Sequence, residues 1–282
     1  MPQDRAFTAR IFGGILSGDN TQPHTNRRKE PTMSIALVTG ASRGLGKSIA
    51  LHLAAAGHDV IITYNSKQAQ AREVVAAIEA AGRKAVALPL DAADHKAFPD
   101  FAGQVGAALA ETWRRSDFDF LVNNAGIGIN APFAETTEEQ FDLLMNIHFK
   151  GVFFLTQRLL PLIKDGGRIV NVSSGLARFS LPGYGAYAAM KGGIEVLSRY
   201  QALELGPRRI AVNVVAPGAI ETDFGGGAVR DNVEVNRTIA SQTALGRVGL
   251  PDDIGGAVAA LLSDGCRWIN GQRVEVSGGI HL

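Results

Sequence analysis

A tyrosine and a lysine four residues apart are the side chains of this sequence best suited to proton chemistry. Tyr187 and Lys191 fall in one predicted helix and therefore share a face. A free tyrosine has a pKa of about 10 and is a poor acid–base group at neutral pH, whereas an ammonium within ~4–6 Å favours the phenolate. We therefore expect Lys191 to lower the pKa of Tyr187, so that the phenol gives a proton to a carbonyl oxygen or takes one from an alcohol.

Several polar residues near this pair are further candidates for catalytic residues. Tyr184 lacks a lysine four residues on, since Ala188 stands there. Ser174 follows a predicted strand at the end where parallel sheets bind ligands, and its hydroxyl can hydrogen-bond the same substrate oxygen as Tyr187. Ser173 is one residue earlier and is expected to face the opposite side. His148 has no acidic partner in the sequence and is expected to be a packed or exposed helix residue.

A glycine-rich turn predicts a second kind of chemistry. It lies between a predicted strand at 34–39 and a predicted helix at 45–56, and a helix that begins there offers free N–H groups to a pyrophosphate. Its spacing is Gly-x-x-x-Gly-x-Gly, which is neither Gly-x-Gly-x-x-Gly nor a P-loop. The turn reads Thr39-Gly40-Ala41-Ser42-Arg43-Gly44-Leu45-Gly46.

Strands alternate with helices along the rest of the chain. The further predicted strands lie at 60–64, 84–90, 118–123, 168–173, 210–216 and 273–276, and the further helices at 67–81, 94–113, 137–164, 184–205 and 251–262. This alternation predicts one α/β domain at 33–282, with a doubly wound parallel sheet covered on both faces. Thr137 with Gln140 predicts a capping box at the start of the long helix. The run Gly225-Gly226-Gly227 is expected to be the most mobile part of a long stretch at 217–242.

Composition excludes several classes of protein. The chain has 282 residues, a net charge of +1, 46% hydrophobic residues and 20% charged residues, which is typical of globular proteins. The balanced charge argues against a nucleic-acid binder, and no apolar run approaches the ~18 residues of a membrane span. Cys266 is the single cysteine, so neither an internal disulfide nor a metal cluster on cysteines can form. No metal site is expected.

Residues 1–32 differ from the rest of the sequence. They carry scattered basic, acidic and proline residues and one short apolar patch, Ile11–Leu16, too short for a signal-peptide core. The acidic residues count against an organelle-targeting segment. We expect a disordered extension, or a start codon assigned too early, because Met33 stands just before the first strand.

The ordered set of motifs resembles the short-chain dehydrogenase/reductase family of about 250 residues. The turn at 39–46 is similar to that family's cofactor motif, and Ser174, Tyr187 and Lys191 match its Ser…Tyr-x-x-x-Lys site, with thirteen positions from serine to tyrosine. Three further motifs match: Asn123-Asn124-Ala125-Gly126 after the fourth strand, Asn146 as the helix asparagine, and Pro217-Gly218 with Thr222. Ser277 before Gly278-Gly279 departs from the family pattern, which often has an acid or amide there.

The resemblance implies a Rossmann fold, a catalytic group and a nicotinamide cofactor site. The catalytic group would be Asn146, Ser174, Tyr187 and Lys191, with a water leading from Asn146 to Lys191. It also implies a homotetramer built on the helices at 137–164 and 184–205. The cofactor-binding residues would be Gly40, Ser42, Arg43, Gly44, Leu45, Gly46, Tyr64, Asn65, Ser66, Asp91, Ala92, Asn123, Ala125, Gly126, Tyr187, Lys191, Pro217, Gly218, Ile220 and Thr222.

The residues near the expected ribose favour NADP(H) over NAD(H). An NAD site carries an acid about 20 residues past the glycine turn, to bind the ribose 2′-hydroxyl. Here Tyr64, Asn65 and Ser66 are neutral, and Arg43 can bring a positive charge to a 2′-phosphate. Asp91 is expected at the adenine.

These observations predict an NADP-dependent carbonyl reductase or alcohol dehydrogenase, located in the cytoplasm. The motifs resemble those of 3-oxoacyl-[acyl-carrier-protein] reductases, so a carrier-bound 3-oxoacyl thioester is a candidate substrate beside a small carbonyl or alcohol. The alternatives are an NAD-linked alcohol, sugar or steroid-type dehydrogenase, and a catalytically silent dinucleotide-binding regulator. No nucleic acid or membrane partner is expected.

Overall fold

Within residues 33–282, which the computed structural model describes, seven strands form one parallel sheet. The expectation for residues 1–32 lies outside the described residues. The strands are β1 Ile35–Val38, β2 Asp59–Tyr64, β3 Ala85–Pro89, β4 Phe118–Asn123, β5 Ile163–Val172, β6 Ala211–Pro217 and β7 Arg273–Val276. Their spatial order is β3-β2-β1-β4-β5-β6-β7, with all pairings parallel. The predicted doubly wound parallel sheet is confirmed.

Helices cover both faces of this sheet. They are α1 Gly44–Ala55, α2 Gln68–Ala80, α3 Phe98–Ala108, α4 Glu138–Met145, α5 Gly151–Leu159, α6 Gly185–Glu204, α7 Ala228–Asp231, α8 Val233–Ser241 and α9 Pro251–Leu261. Alternate residues of β1 enter opposite cores, because side chains of a strand point to alternate faces. Ala36 and Val38 pack with α1, α2 and α9, whereas Ile35 and Leu37 pack with α3 and α5.

The topology opens a crevice at the carboxyl ends of the strands. From β1 the chain runs outward through β2 to β3, and then returns to place β4 on the other side of β1. The connections that leave β1 and β4 therefore diverge, and ligands of open α/β sheets bind in the crevice between them.

The long helix predicted at 137–164 is wrong in its extent. Thr137 does form the predicted capping box, in which its hydroxyl accepts from the Gln140 amide and the Gln140 side chain accepts from the Thr137 amide. The helix is interrupted by a π-helical turn at Asn146–Lys150, and α5 ends at Leu159. Pro161 follows and cannot continue the helix, so β5 begins earlier than predicted, at Ile163.

The stretch at 217–242, for which no helices were predicted, contains α7 and α8. The Asn232 side chain accepts from the amides of Glu234 and Val235 and so caps α8. Gly225, Gly226 and Gly227 have φ of 61°, 76° and 81°, a left-handed run that glycine alone adopts without strain. That this run is mobile stays a prediction.

Among the helices of residues 33–282, none combines the length and the apolar character that a bilayer crossing requires.

Candidate active site

The candidate site residues lie at one edge of the sheet because each group follows the carboxyl end of a strand. The glycine turn follows β1, and residues 64–66, 91–92 and 123–126 end or follow β2, β3 and β4. Ser174 follows β5, and residues 217–222 end or follow β6. Tyr187 and Lys191 lie on α6, which brings them to the same edge. In a parallel sheet these ends meet, which is why residues so distant in sequence form one site.

The glycine turn is held tightly against the end of β4. The Thr39 hydroxyl accepts from the amides of Asn124 and Ala125 at 2.9 Å each, and the Asn124 side chain donates to the Thr39 carbonyl at 2.8 Å. A Cβ at Gly40 would lie 2.8 Å from the Ala125 Cα, and Gly40 has a φ of +64°. No side chain can stand at this position, so the turn passes close to the crevice and leaves the first amides of α1 facing it.

At the end of the crevice where the ribose is expected, the side chains are compatible with a phosphate, but Arg43 is already engaged in an ion pair. The Arg43 side chain is half exposed and pairs with Asp223 at 3.1 Å, across the mouth of the crevice. Tyr64 is buried, while Asn65 and Ser66 are exposed, and none of the three carries a negative charge. Such a solvated ion pair contributes about 1 kcal/mol at most, so a bound phosphate could take over Arg43 at little cost.

Asp91 and Ala92 follow β3 on the same side of the crevice. The Asp91 carboxylate is exposed and accepts from the Ala93 amide at 2.9 Å, which fixes the turn that leaves the strand. Gly151 at the start of α5 packs on this turn, since a Cβ there would lie 2.6 Å from the Ala92 carbonyl oxygen.

Tyr187 is buried between two aromatic rings. His148 lies edge-on to the Tyr187 ring with centroids 5.1 Å apart, and Phe224 is tilted against it at 5.5 Å. Burial raises the pKa of Tyr187 above its usual value, and a hydrogen bond with the Ser174 side chain opposes that rise. The phenol is therefore held in its protonated form.

Lys191 is buried as well and does not lower the pKa of Tyr187 as predicted. Its Nζ donates to the Val172 carbonyl at 2.7 Å and lies 5.6 Å from the centroid of the Tyr187 ring. Burial lowers the pKa of Lys191 to about 7. Removing both groups from water disfavours both charged forms, and this effect exceeds the attraction between ammonium and phenolate.

The two candidate serines face different neighbours. The Ser174 side chain meets Tyr187 and also accepts from the Leu176 amide at 3.2 Å. The buried Ser173 hydroxyl donates to the Glu195 carboxylate at 2.7 Å, away from Tyr187. The structure therefore brings Ser174 together with Tyr187, in the arrangement that the alternation along a strand predicts.

No direct hydrogen bond joins Asn146 to Lys191 in the part of the chain that the structure describes, so their expected link through a water stays a prediction; His148 is the side chain of this segment that lies beside Tyr187. The Asn146 side chain accepts from the Lys150 Nζ at 3.2 Å, and its backbone carbonyl is bonded to His95 Nε2 at 2.9 Å. His148, two residues later, is 1% exposed and contacts the Tyr187 ring. The π-helical turn changes which side chains point inward, and the apolar spacing of the sequence gives no sign of it.

The segment after β6 closes the far side of the crevice. Pro217 is buried at the end of the strand, and Gly218 packs on Ser277, where a Cβ would lie 2.9 Å from the Ser277 Cα. Thr222 approaches Gly44, with its Cβ 3.8 Å from the Cβ position there. Ile220 bridges to Gly249 and anchors the segment.

Comparison with known proteins assigns the family. A family model described as enoyl-(acyl carrier protein) reductase matches residues 40–281. The chain belongs to the short-chain dehydrogenase/reductase family.

This family member is similar to several reductases over nearly its whole length. A hydroxynaphthalene reductase-like protein of Metarhizium brunneum is 37% identical over 87% of this chain and 94% of its own length. The promiscuous reductase LugOII, which catalyses keto-reduction during lugdunomycin biosynthesis, superimposes with a TM-score of 0.84 at 37% identity, covering 88% of this chain and 98% of its own. The angucycline C-6 ketoreductase LanV, solved with bound NADP, superimposes with a TM-score of 0.83 at 38% identity, covering 87% and 95%.

The burial of Lys191 predicts a stability cost. At pH 7 and below, the lysine is charged in the unfolded chain and has to be buried or discharged on folding. We expect Lys191→Met to raise the free energy of unfolding at pH 7 by about 2–4 kcal/mol, which is less than the pKa shift alone implies because the Val172 carbonyl loses its donor. From the folded pKa of about 7 to the unfolded value of 10.5, the unfolded chain binds more protons, so the wild type gains stability with pH and the difference shrinks.

Urea unfolding at pH 6, 7 and 9 measures this difference. Lys150→Met is the matched control on an exposed lysine, and it should change the free energy by less than about 0.5 kcal/mol. A destabilised Lys191→Met variant at pH 7 would contradict the prediction.

Proposed function

We propose that this enzyme reduces a ketone with NADPH and that Tyr187 donates the proton to the carbonyl oxygen. The observation that carries this proposal is the position of Tyr187, whose phenol is hydrogen-bonded to the Ser174 side chain at the edge of the sheet where the glycine turn lies. A protonated phenol is the form that an acid catalyst of reduction needs. Alcohol oxidation, the reverse reaction, would use the same residues with Tyr187 accepting the proton.

NADP(H) is the proposed cofactor and supplies the hydride. The glycine turn at 40–46 and the amides at the start of α1 would hold its pyrophosphate, and Arg43 would meet the 2′-phosphate. Release of Asp223 from Arg43 would accompany that contact. LanV, a relative solved with bound NADP, supports this assignment.

Within the site, each side chain of the proposed catalytic group has its own task. Tyr187 transfers its proton to the substrate oxygen, while the Ser174 hydroxyl donates a hydrogen bond to the same oxygen and so fixes the carbonyl. Lys191 lies one turn further along α6 with its Nζ on the Val172 carbonyl, and in its charged form it would favour the phenolate left after proton transfer. Asn146 keeps its proposed task, which is to lead protons to Lys191 through a water.

An apolar, ring-containing ketone is the proposed substrate. The buried cluster around Tyr187 is apolar, and Phe224 adds an aromatic face above it. Its partly buried members are Ile127, Ile129, Met145, Phe149, Leu176 and Ala186. The hydroxynaphthalene and angucycline reductases among the relatives support a cyclic aromatic ketone over a 3-oxoacyl thioester, which remains the second candidate.

The enzyme is also proposed to be a homotetramer. Aromatic and aliphatic side chains are exposed on α4, α5 and α6, although these helices contribute to the core on their other faces. They include Phe141, Phe153, Phe154, Val196, Tyr200 and Leu203, which are 37% to 77% exposed. Large apolar side chains gathered on neighbouring helices are typical of a surface covered by another subunit.

Loss of the Tyr187 hydroxyl should abolish proton donation without unfolding the protein. Tyr187→Phe keeps the ring between His148 and Phe224, so we expect kcat to fall by about 10²–10⁴-fold at saturating NADPH, while NADPH binding persists. The assay uses bicyclic aromatic ketones and 3-oxoacyl thioesters as parallel substrates. Tyr184→Phe, which lacks a lysine partner, should retain most of kcat. Near wild-type turnover by Tyr187→Phe would refute the proposed mechanism.

Cofactor preference should respond to charge at the ribose end. The double substitution Arg43→Ala with Tyr64→Asp removes one positive charge and adds one negative charge near the 2′ position. We expect the ratio of kcat/KM for NADPH to kcat/KM for NADH to fall by at least tenfold, since a carboxylate repels a 2′-phosphate and accepts from a 2′-hydroxyl. An unchanged ratio would remove Arg43 from the cofactor site.

Light scattering at micromolar concentration tests the assembly. The expected mass is four times that of the 29.8 kDa chain, and substitution of Phe153 and Phe154 by Glu should lower it, because charged side chains cannot be buried there without a partner. A wild-type protein that stays monomeric would reject the tetramer.

A further inference from the structure

A histidine that the proposed function does not use is built into the site. The π-helical turn at Asn146–Lys150 separates α4 from α5, and such turns widen the helix by one residue. His148 in this turn is 1% exposed, although its neighbours Ile147 and Phe149 are only partly buried. The turn therefore directs one polar side chain of the segment into the interior.

The backbone nitrogen and the carbonyl oxygen of Ile127 both contact the same nitrogen of this imidazole. His148 Nε2 lies 2.8 Å from the Ile127 carbonyl oxygen and 3.2 Å from the Ile127 nitrogen. The shorter contact assigns the proton to Nε2, which then donates to the carbonyl. Ile127 stands in the connection that follows β4, so this bond ties the π-helical turn to the wall of the crevice.

The other nitrogen, Nδ1, is buried and has no hydrogen-bond partner within residues 33–282. A buried polar atom without a partner costs free energy, and a packed hydrocarbon ring at this position would avoid that cost. A histidine is present beside Tyr187 despite this unfavourable free energy. This indicates that its role lies in the site and not in the stability of the core.

The ring is wedged between Tyr187 and Gly126. It meets the Tyr187 ring edge-to-face at an interplanar angle of 89°. On its other side, a Cβ at Gly126 would come within 2.6 Å of the His148 Cε1, so only glycine leaves room for the ring. Phe224 also packs against the Tyr187 ring, with the centroids 5.5 Å apart, so a second ring restricts the orientation of the phenol.

His148 carries no charge in this environment. Burial and then the nearby Lys191 charge lower its pKa to about 3, and the bond to Ile127 opposes this only in part. The ionisable side chains that bear on it, Lys191 and Tyr187, both lie on α6. A neutral imidazole at every pH of interest cannot supply protons to the reaction, so its contribution has to be geometric.

We propose that His148 is a positioning residue: its ring, clamped to the Ile127 carbonyl through Nε2, sets the plane of the Tyr187 ring and thereby the point at which the phenol meets the substrate oxygen. The inference rests on the proposed function of Tyr187 as proton donor. Misplacement of a reacting group by about 1 Å can cost about 10²-fold in rate, so the loss of a clamp is measurable.

Two substitutions separate the contribution of the Nε2 hydrogen bond from that of the aromatic ring. His148→Phe keeps an aromatic ring against Tyr187 but loses the Nε2 donor, whereas the amide of His148→Gln can still reach the Ile127 carbonyl. We expect kcat to fall by about 10–100-fold in His148→Phe and to return to within about threefold of the wild type in His148→Gln. The Kd for NADPH, measured by fluorescence, should change less than threefold in both, and KM for the ketone should change less than kcat. His148→Leu replaces the phenylalanine variant if that protein does not fold, as judged by circular dichroism.

His95 provides the matched control. Its Nε2 also bonds a backbone carbonyl of the same turn, that of Asn146 at 2.9 Å, but it does not contact Tyr187. His95→Phe should leave kcat within about twofold of the wild type. The pH profile of kcat should keep the same ionisations in His148→Gln as in the wild type, because the histidine does not titrate.

Three outcomes would overturn the inference. His148→Phe and His95→Phe could have equal kcat, His148→Gln could be as impaired as His148→Phe, or an ionisation of the wild-type profile could vanish in His148→Gln, which would make the histidine an acid or base. An active Tyr187→Phe enzyme would instead refute the proposed function itself, so the two failures are distinct.

Discussion

Burial of ionisable side chains around α6 determines the state of the whole candidate site. Tyr187, Lys191 and His148 are all removed from water, and each pKa moves toward the value that favours the uncharged form. Neutral groups are far cheaper to bury than ions, so the cluster can exist within the fold before a ligand arrives. The largest unfavourable desolvation free energy belongs to Lys191. In the described part of the chain its ammonium has one hydrogen-bond acceptor, the Val172 carbonyl.

The parallel sheet makes this burial possible at the place where a ligand can enter. Every strand delivers its carboxyl end to the same edge, and the return of the chain from β3 to β4 opens a crevice there. The glycine turn lines one wall and α6 the other. Hydrogen bonds donated by the Asn124 and Ala125 amides to the Thr39 hydroxyl hold the first wall against the end of β4, in the middle of the sheet, so the geometry of the site follows from pairing between strands rather than from flexible loops.

The features that could be predicted are those with a local physical signature. Gly40 and Gly44 predicted a turn with positive φ, and the alternation of apolar strands and helices predicted the sheet. The four-residue spacing of Tyr187 and Lys191 predicted that both lie on one helix face. The choice of Ser174 over Ser173 followed from the alternation of side chains along a strand. These features could be predicted because each depends on residues that are close together in the sequence.

The features that could not be predicted depend on tertiary contacts. The direction of the Tyr187 pKa shift required knowledge of its burial, since the lysine alone suggested the opposite. The π-helical turn places His148 beside Tyr187, a contact that the sequence did not predict, because an α-helical spacing cannot reveal an inserted residue. Arg43 was expected to face a phosphate, and its pairing with Asp223 joins residues 180 positions apart, which no local pattern encodes.

The close approach of Gly126 to the His148 ring couples two positions that are far apart in the sequence. A methyl group at 126 and an imidazole at 148 exclude one another sterically, since 2.6 Å is far below van der Waals contact. Variation at either position is therefore conditional on the other, and a library that randomises 126 alone would return almost nothing but glycine. Randomising both together would open combinations that no single substitution can reach, with a larger side chain at 126 and a smaller one at 148 reshaping the floor of the crevice.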